Sequence, residues 1–177
     1  MTTGPETKKL RYSAPEFLSV CSNQITVMYD YWLGLRGDRP MPFRRDLDPS
    51  QIKPHLPFLM LVDVVGDPPD FIYRLVGTRE VDSRGYDPTG RRVAEAYFAS
   101  SAEDALSNYA QVARERAVLY DCEPVRMPGN DYYNDESLFL PFTVDGDSVA
   151  QVMVYSVIEN MWQIGRASCR ERVYVLV

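Results

Sequence analysis

Residues 73–91, YRLVGTREVDSRGYDPTGR, decide how the chain is read. Tyr73 to Val76 are strand formers and Gly77-Thr78 interrupts them. A short polar helix spans residues 78–84, and breaks follow at Gly85 and at Pro88 to Gly90. Two readings compete. A strand–glycine–helix junction can cradle a phosphate, because the first helical N–H groups lack intrahelical partners and the helix dipole favours an anion. Such a loop needs clustered glycines, and its nucleotide-binding version ends in Gly-Lys-Ser/Thr. Gly77, Gly85 and Gly90 lie too far apart for one loop, and no such ending follows. Glycines serving as backbone turns, with Thr78 capping the helix, is the simpler reading. A smaller form of the first reading survives. Tyr73, Arg74, Gly77 and Thr78 are the candidate ligand-binding residues, with Arg74, Thr78 and the amides after Gly77 placed to hold a small anionic group. Arg74 reads equally as an exposed sheet residue or an ion-pair partner.

Outward from this stretch, residues 58–65, FLMLVDVV, form a compact apolar run. Residues 66–70, GDPPD, then turn the chain back into residues 71–76, which makes a hairpin. On the other side, residues 93–98 form a second short helix. Residues 101–117 form the clearest helix, with Ser101 at its N-cap, acids in its first turn and arginines in its last. Residues 118–127, 137–144 and 148–158 follow as three strands joined by turns at 128–131 and 145–147. Before the hairpin, residues 14–36 show apolar spacing of three and four, and Gly37 ends the helix they predict. Three prolines in residues 36–49 forbid a long helix there, and Asp48-Pro49 opens a short turn through Lys53. The order is helix, two strands, short helices, three strands. It predicts an α+β fold: one five-stranded antiparallel sheet with short helices on one face and an N-terminal flanking helix.

A chain of 177 residues with 45% hydrophobic residues fits one globular domain, placed at residues 14–160. A net charge of −6 argues against nucleic acid or an anionic membrane as partner. No apolar run is long enough to span a bilayer. Residues 1–13 are polar, lack a signal-peptide core and read as a flexible leader. Three widely spaced cysteines imply a reducing compartment, hence the cytoplasm. Residues 164–173, IGRASCRERV, resemble the translation of a common sequencing adaptor, so residues 164–177 are read as a non-native tail standing where the natural C-terminus is missing. That ten-residue string carries three arginines and one glutamate, and removing it takes the net charge from −6 to −8.

The element order and several motifs resemble the bacterial PAS-like family often called PAS_5 over roughly residues 31–158. Tyr31-Trp32-Leu33 precedes Pro42-Phe43-Arg44-Arg45-Asp46-Leu47-Asp48-Pro49, which is similar to the family's P-x-R-x-D-x-D-P segment. Tyr73-Arg74-Leu75-Val76-Gly77-Thr78 and Gly85-Tyr86-Asp87-Pro88-Thr89-Gly90 resemble its YR-L-x-G-T and G-x-D-x-T-G core. Glu136 to Phe142, ESLFLPF, looks like its penultimate strand. The resemblance implies a sensory module and a flanking helix that packs on the sheet or between protomers. Phe17, Tyr31, Trp32 and Leu35 are then the candidate partner or dimer interface. In one place the chain departs from the family. Asp82-Ser83-Arg84 stands where bulky apolar residues usually precede the glycine, so either that helix faces solvent or the pocket wall is polar.

His55 is the only histidine, which excludes histidine triads and multi-histidine metal centres. It sits before the first strand, whereas the haem ligand of haem-binding PAS sensors lies on a later helix. Cys122 lacks the Asn-Cys-Arg-Phe context of a flavin-adduct cysteine, and its acidic neighbours would raise a thiol pKa. No haem, flavin, metal or catalytic residue is therefore expected. Glu103-Asp104, and Asp145 with Asp147, fall at a helix start and a turn, where carboxylates serve local structure. The resulting expectation is a stand-alone, non-enzymatic regulatory module. Its partners would be an unknown signalling protein, a small metabolite, or a second copy through the N-terminal helix. The alternatives are a pure interaction domain without a pocket, or a small-molecule enzyme.

Overall fold

The computed structural model describes residues 10–13, 15–97, 101–126 and 132–160. The strands are β1 (Leu10–Ser13), β2 (Leu59–Val65), β3 (Asp70–Val76), β4 (Leu119–Arg126), β5 (Tyr132–Phe142) and β6 (Gln151–Asn160). The α-helices are α1 (Asn23–Arg36), α2 (Thr78–Arg84), α3 (Val93–Ala96) and α4 (Ala102–Glu115). One antiparallel sheet runs in the order β1-β4-β5-β6-β2-β3. The expected α+β fold and its five-stranded sheet are present as β4-β5-β6-β2-β3. No described helix is long and apolar enough to cross a membrane. The expected turn at residues 128–131 and the tail at 164–177 lie outside the described residues.

Two expectations need correction. Residues 10–13 are not part of a flexible leader, since Leu10 pairs opposite Cys122 and Ser13 opposite Leu119. The added strand meets backbone groups of β4 that would otherwise form an open sheet edge. Four residues are too few to announce a strand by alternation. Nor is residues 14–36 one helix. A 3₁₀ turn at Glu16–Ser19 is separated from α1 by extended Ser22, whose Oγ caps α1 by accepting the Ile25 N–H at 3.4 Å. The Ser22 N–H itself donates to the carboxylate of Glu136, at 3.1 and 3.2 Å. A continuous helix would have sent that N–H to a carbonyl one turn back.

Strand alternation divides the sheet into two faces. Tyr120, Glu136, Leu138 and Tyr155 face α1. The Phe17 ring stacks on Tyr120 at 5.2 Å, and Trp32 Nε1 donates to the Pro141 carbonyl at 3.0 Å. Met60, Tyr73, Asp121, Ser137, Phe139, Val154 and Ser156 lie under α2 and α4 on the opposite face. Tyr109 of α4 meets Phe71 and Phe139 there, at 5.4 and 5.3 Å between ring centroids. Both layers exclude water from apolar side chains, with Val62, Leu138, Leu140 and Val152 fully buried.

The helix caps follow the sequence. Asp48 accepts the Ser50 N–H at 2.9 Å, and Pro49 opens the 3₁₀ segment Pro49–Phe58. Ser101 Oγ accepts the Asp104 N–H at 3.0 Å to start α4. Asp145 accepts from Thr143, Asp147 and Ser148, which holds its carboxyl far below the usual range in a turn-building role.

Residues 73–91 close on themselves. The Gly90 N–H donates to the Tyr73 carbonyl at 2.7 Å, and the Tyr73 N–H donates to Arg91 O at 3.0 Å. Gly85 ends α2 in the left-handed region, at φ 74, where a side chain is disfavoured. Gly77 has an ordinary extended backbone and is needed for space. A Cβ there would lie 2.5 Å from the Leu56 carbonyl oxygen and would also strike that of Pro57. Gly77, not Thr78, holds the N-cap position of α2. Carbonyl oxygens packed against this junction repel an anion, so the phosphate-cradle reading fails on electrostatics as well as on spacing.

Candidate functional site

A cavity of about 140 Å³ lies between the sheet and the helices α2 and α4. Helix α2 contributes Glu80, Ser83 and Arg84; α4 contributes Asp104, Ala105, Asn108 and Tyr109. The sheet contributes Met60, Tyr73, Asp121, Glu123, Asp135, Ser137, Phe139, Val154, Ser156 and Ile158. An interaction domain with a filled core would have no such space.

The walls are polar and mostly fixed. Arg84 Nη1 donates to the Ala96 carbonyl at 3.1 Å and to Tyr73 OH at 3.4 Å, and its guanidinium lies 5.1 Å from the Tyr73 ring centroid. Its other terminal nitrogen is 3.2 Å from Met60 Sδ. Asn108 Nδ2 donates to Asp121 Oδ2 at 2.7 Å, while Asn108 Oδ1 is buried with no hydrogen-bond partner. On the sheet floor the Ser137 and Ser156 hydroxyls bond each other at 2.8 Å. Burial raises the Tyr73 hydroxyl pKa against the opposing charge of Arg84, and raises that of Tyr109 further. Burial pushes Glu80 up to about 7; the charge of Arg84 opposes this and that of Asp135 adds to it. Buried, perturbed groups gathered in a cleft are the usual mark of a functional site.

Of the four ligand residues expected from sequence, one lines this cavity. Tyr73 points into it. Arg74, the next residue on the strand, points the other way; its side chain is 71% exposed and sits 3.8 Å from Asp63. That is the ion-pair alternative. Gly77 is buried against backbone, and Thr78 is exposed at the first position of α2. The polar run divides: Asp82 and Ser83 are both exposed, and of the three residues Ser83 and the half-buried Arg84 line the cavity while Asp82 does not.

The interface residues are likewise redirected. Phe17 and Trp32 are 0% and 3% exposed within the chain's own core, so they cannot meet a second molecule in this state. Tyr31 and Leu35 are partly buried against the same core, and Tyr31 OH donates to the Asp48 carbonyl at 3.2 Å. The flanking helix packs on the sheet. His55 stands on the α1 side, its Nδ1 2.8 Å from Tyr155 OH, and Cys122 is buried on that side too. Neither lines the cavity. Among the described residues no group of three or more histidines, cysteines or carboxylates is placed to hold a metal ion.

Sequence reasoning missed Glu80, Asn108, Asp121, Ser137 and Ser156. A faint signal existed for the last two, a serine inside each of two otherwise apolar strands.

A family model described as PAS domain, PAS_5, matches residues 21–155. No curated protein matches the chain. Among solved structures, an RNA-binding light-oxygen-voltage receptor is similar with a TM-score of 0.48 and 12% identity, over 88% of this chain. The chain spans 39% of that receptor's length.

Proposed function

Because this chain belongs to the PAS domain family, we propose that it is a sensory module that reads a small ligand in the cavity between the sheet and α2–α4. The ligand binds without covalent chemistry and shifts the balance between two states of the domain. The signal passes through the sheet to α1, and from there to a separate signalling protein.

One observation carries this reading. Three polar strand residues on the cavity floor, Asp121, Ser137 and Ser156, each neighbour a residue that holds the α1 side. Ser137 neighbours Glu136, which binds the Ser22 N–H at the start of α1. Ser156 neighbours Tyr155, whose hydroxyl bonds Gln24 at 3.2 Å. Asp121 neighbours Tyr120, whose hydroxyl donates to Glu136 at 2.9 Å. Adjacent strand residues share a peptide plane and face opposite sides, so a shift on one face displaces the contacts on the other.

The test is binding of a small-metabolite panel, followed by native mass spectrometry, to the wild type and to Ser137→Leu, which fills the cavity floor. Retention of a small molecule by the wild type and its loss from a folded variant is the expected result. Equal retention by both places the ligand elsewhere and overturns the reading.

A further inference from the structure

Resting on the cavity as a ligand site, we propose that its ligand is a small molecule whose planar head donates and accepts at neighbouring atoms, a primary carboxamide or a urea. The hydrogen bonds that the cavity leaves open set this head group, whatever the charge of the lining.

Asn108 provides an acceptor. The residue is 4% exposed and lines the cavity. Its Nδ2 donates to Asp121 Oδ2 at 2.7 Å, and its Oδ1 has no hydrogen-bond partner among the described residues. A buried acceptor left unmade is costly, and an N–H of an occupant satisfies it.

The serine pair provides a donor. Ser137 and Ser156 stand opposite each other across β5 and β6, and their hydroxyls bond at 2.8 Å. Each hydroxyl brings one proton and their mutual bond uses one, so the pair keeps one O–H to give to an occupant's carbonyl. The two stations are neighbours. Asp121, which holds Asn108, stands directly opposite Ser137 across β4 and β5, and adjacent strands lie about 4.8 Å apart. One amide reaches both stations, its nitrogen meeting Asn108 and its oxygen the serines. A carboxylate lacks the donor, an ammonium lacks the acceptor, and an alcohol must serve both stations from a single oxygen.

The rings of Tyr109 and Phe139, packed edge to face, and the Val154 side chain give a short hydrocarbon tail its apolar surface. A cavity of about 140 Å³ is close to the roughly 150 Å³ that takes up one benzene, so the whole ligand has on the order of six heavy atoms.

Calorimetric titration of the full chain uses four probes that share one branched hydrocarbon tail: isobutyramide, isobutyrate, isobutylamine and isobutanol. Saturable one-to-one binding of isobutyramide is expected, about tenfold or more tighter than that of the other three. Asn108→Leu, and Ser137→Ala combined with Ser156→Ala, should each weaken it about tenfold or more, with melting curves confirming that they fold. The serine variant decides the matter alone if Asn108→Leu does not fold. No heat with any probe, the behaviour of a cavity that takes water only, overturns the inference. So does isobutyramide binding that survives the substitutions unchanged. Equal or tighter binding of isobutyrate, isobutylamine or isobutanol, abolished by Ser137→Leu, overturns the carboxamide while keeping the cavity as the sensor. Isobutyramide binding unaffected by Ser137→Leu defeats the carboxamide and the cavity reading together.

Discussion

On the α1 face of the sheet, Glu136 is 3% exposed and its carboxylate is held by the Ser22 N–H and by the Tyr120 hydroxyl. On the opposite face, burial dominates at Glu80 and lifts its pKa to about 7. Each face takes a carboxyl out of water, Glu136 fully and Glu80 in part. One has donors supplied by the fold, and it fastens a helix to the sheet. The other stands in a cavity where a ligand can still supply what the fold does not. A satisfied buried charge is a structural joint, whereas a perturbed one beside empty space is available for recognition.

The largest effect should come from breaking the joint. Glu136→Leu removes the carboxylate that accepts from the Ser22 N–H and from the Tyr120 hydroxyl, at a cost of about 3 kcal/mol. Urea unfolding should show this as a lower midpoint, and a neutral result would mean that α1 is held by apolar packing alone.

The matching change on the cavity face should have the opposite sign. A carboxyl whose folded pKa lies above its unfolded value of 4.5 favours folding fully below that value. That contribution is lost as pH rises through about 7. Glu80→Gln should therefore be more stable than the wild type at about pH 8, by about 2 kcal/mol after allowance for partial exposure, and the gain should vanish at about pH 4. Arg84, Tyr73, Tyr109, Asp104, Asp121, Glu123 and Asp135 face the same space and are common to both proteins. The difference between the two unfolding curves thus isolates Glu80. A gain independent of pH would contradict the assignment.

The smallest effect should come from the outer face of β3. Arg74→Ala removes an exposed ion pair with Asp63 and should change stability by less than about 0.5 kcal/mol. Ligand binding should be unaltered, and a loss of binding would return Arg74 to the site.

Legibility followed the range over which each signal acts. Local signals were readable: Ser101 and Asp48 as caps, Gly85 as a helix end, the apolar runs of β2 and β3. The hairpin and the order of elements then carried the fold. The break before α1 was hidden because its cause, Glu136, lies 114 residues away. Arg74 was misplaced because neighbouring strand residues point to opposite faces, and Tyr73 could not be followed into the cavity without taking Arg74 out of it. The cavity itself draws single residues from several elements. Nothing in the sequence around Asn108 or Asp121 shows that the two meet at 2.7 Å.

The central claim is that the two faces communicate, and hydrogen exchange at the backbone amides of Ser22 and Ile25 tests it most directly. Comparing wild type with Ser137→Leu, the account predicts changed protection at Ser22, whose N–H is held by Glu136, and at the first turn of α1. Changes confined to β5, β6 and α4, with α1 exchanging as before, would contradict it.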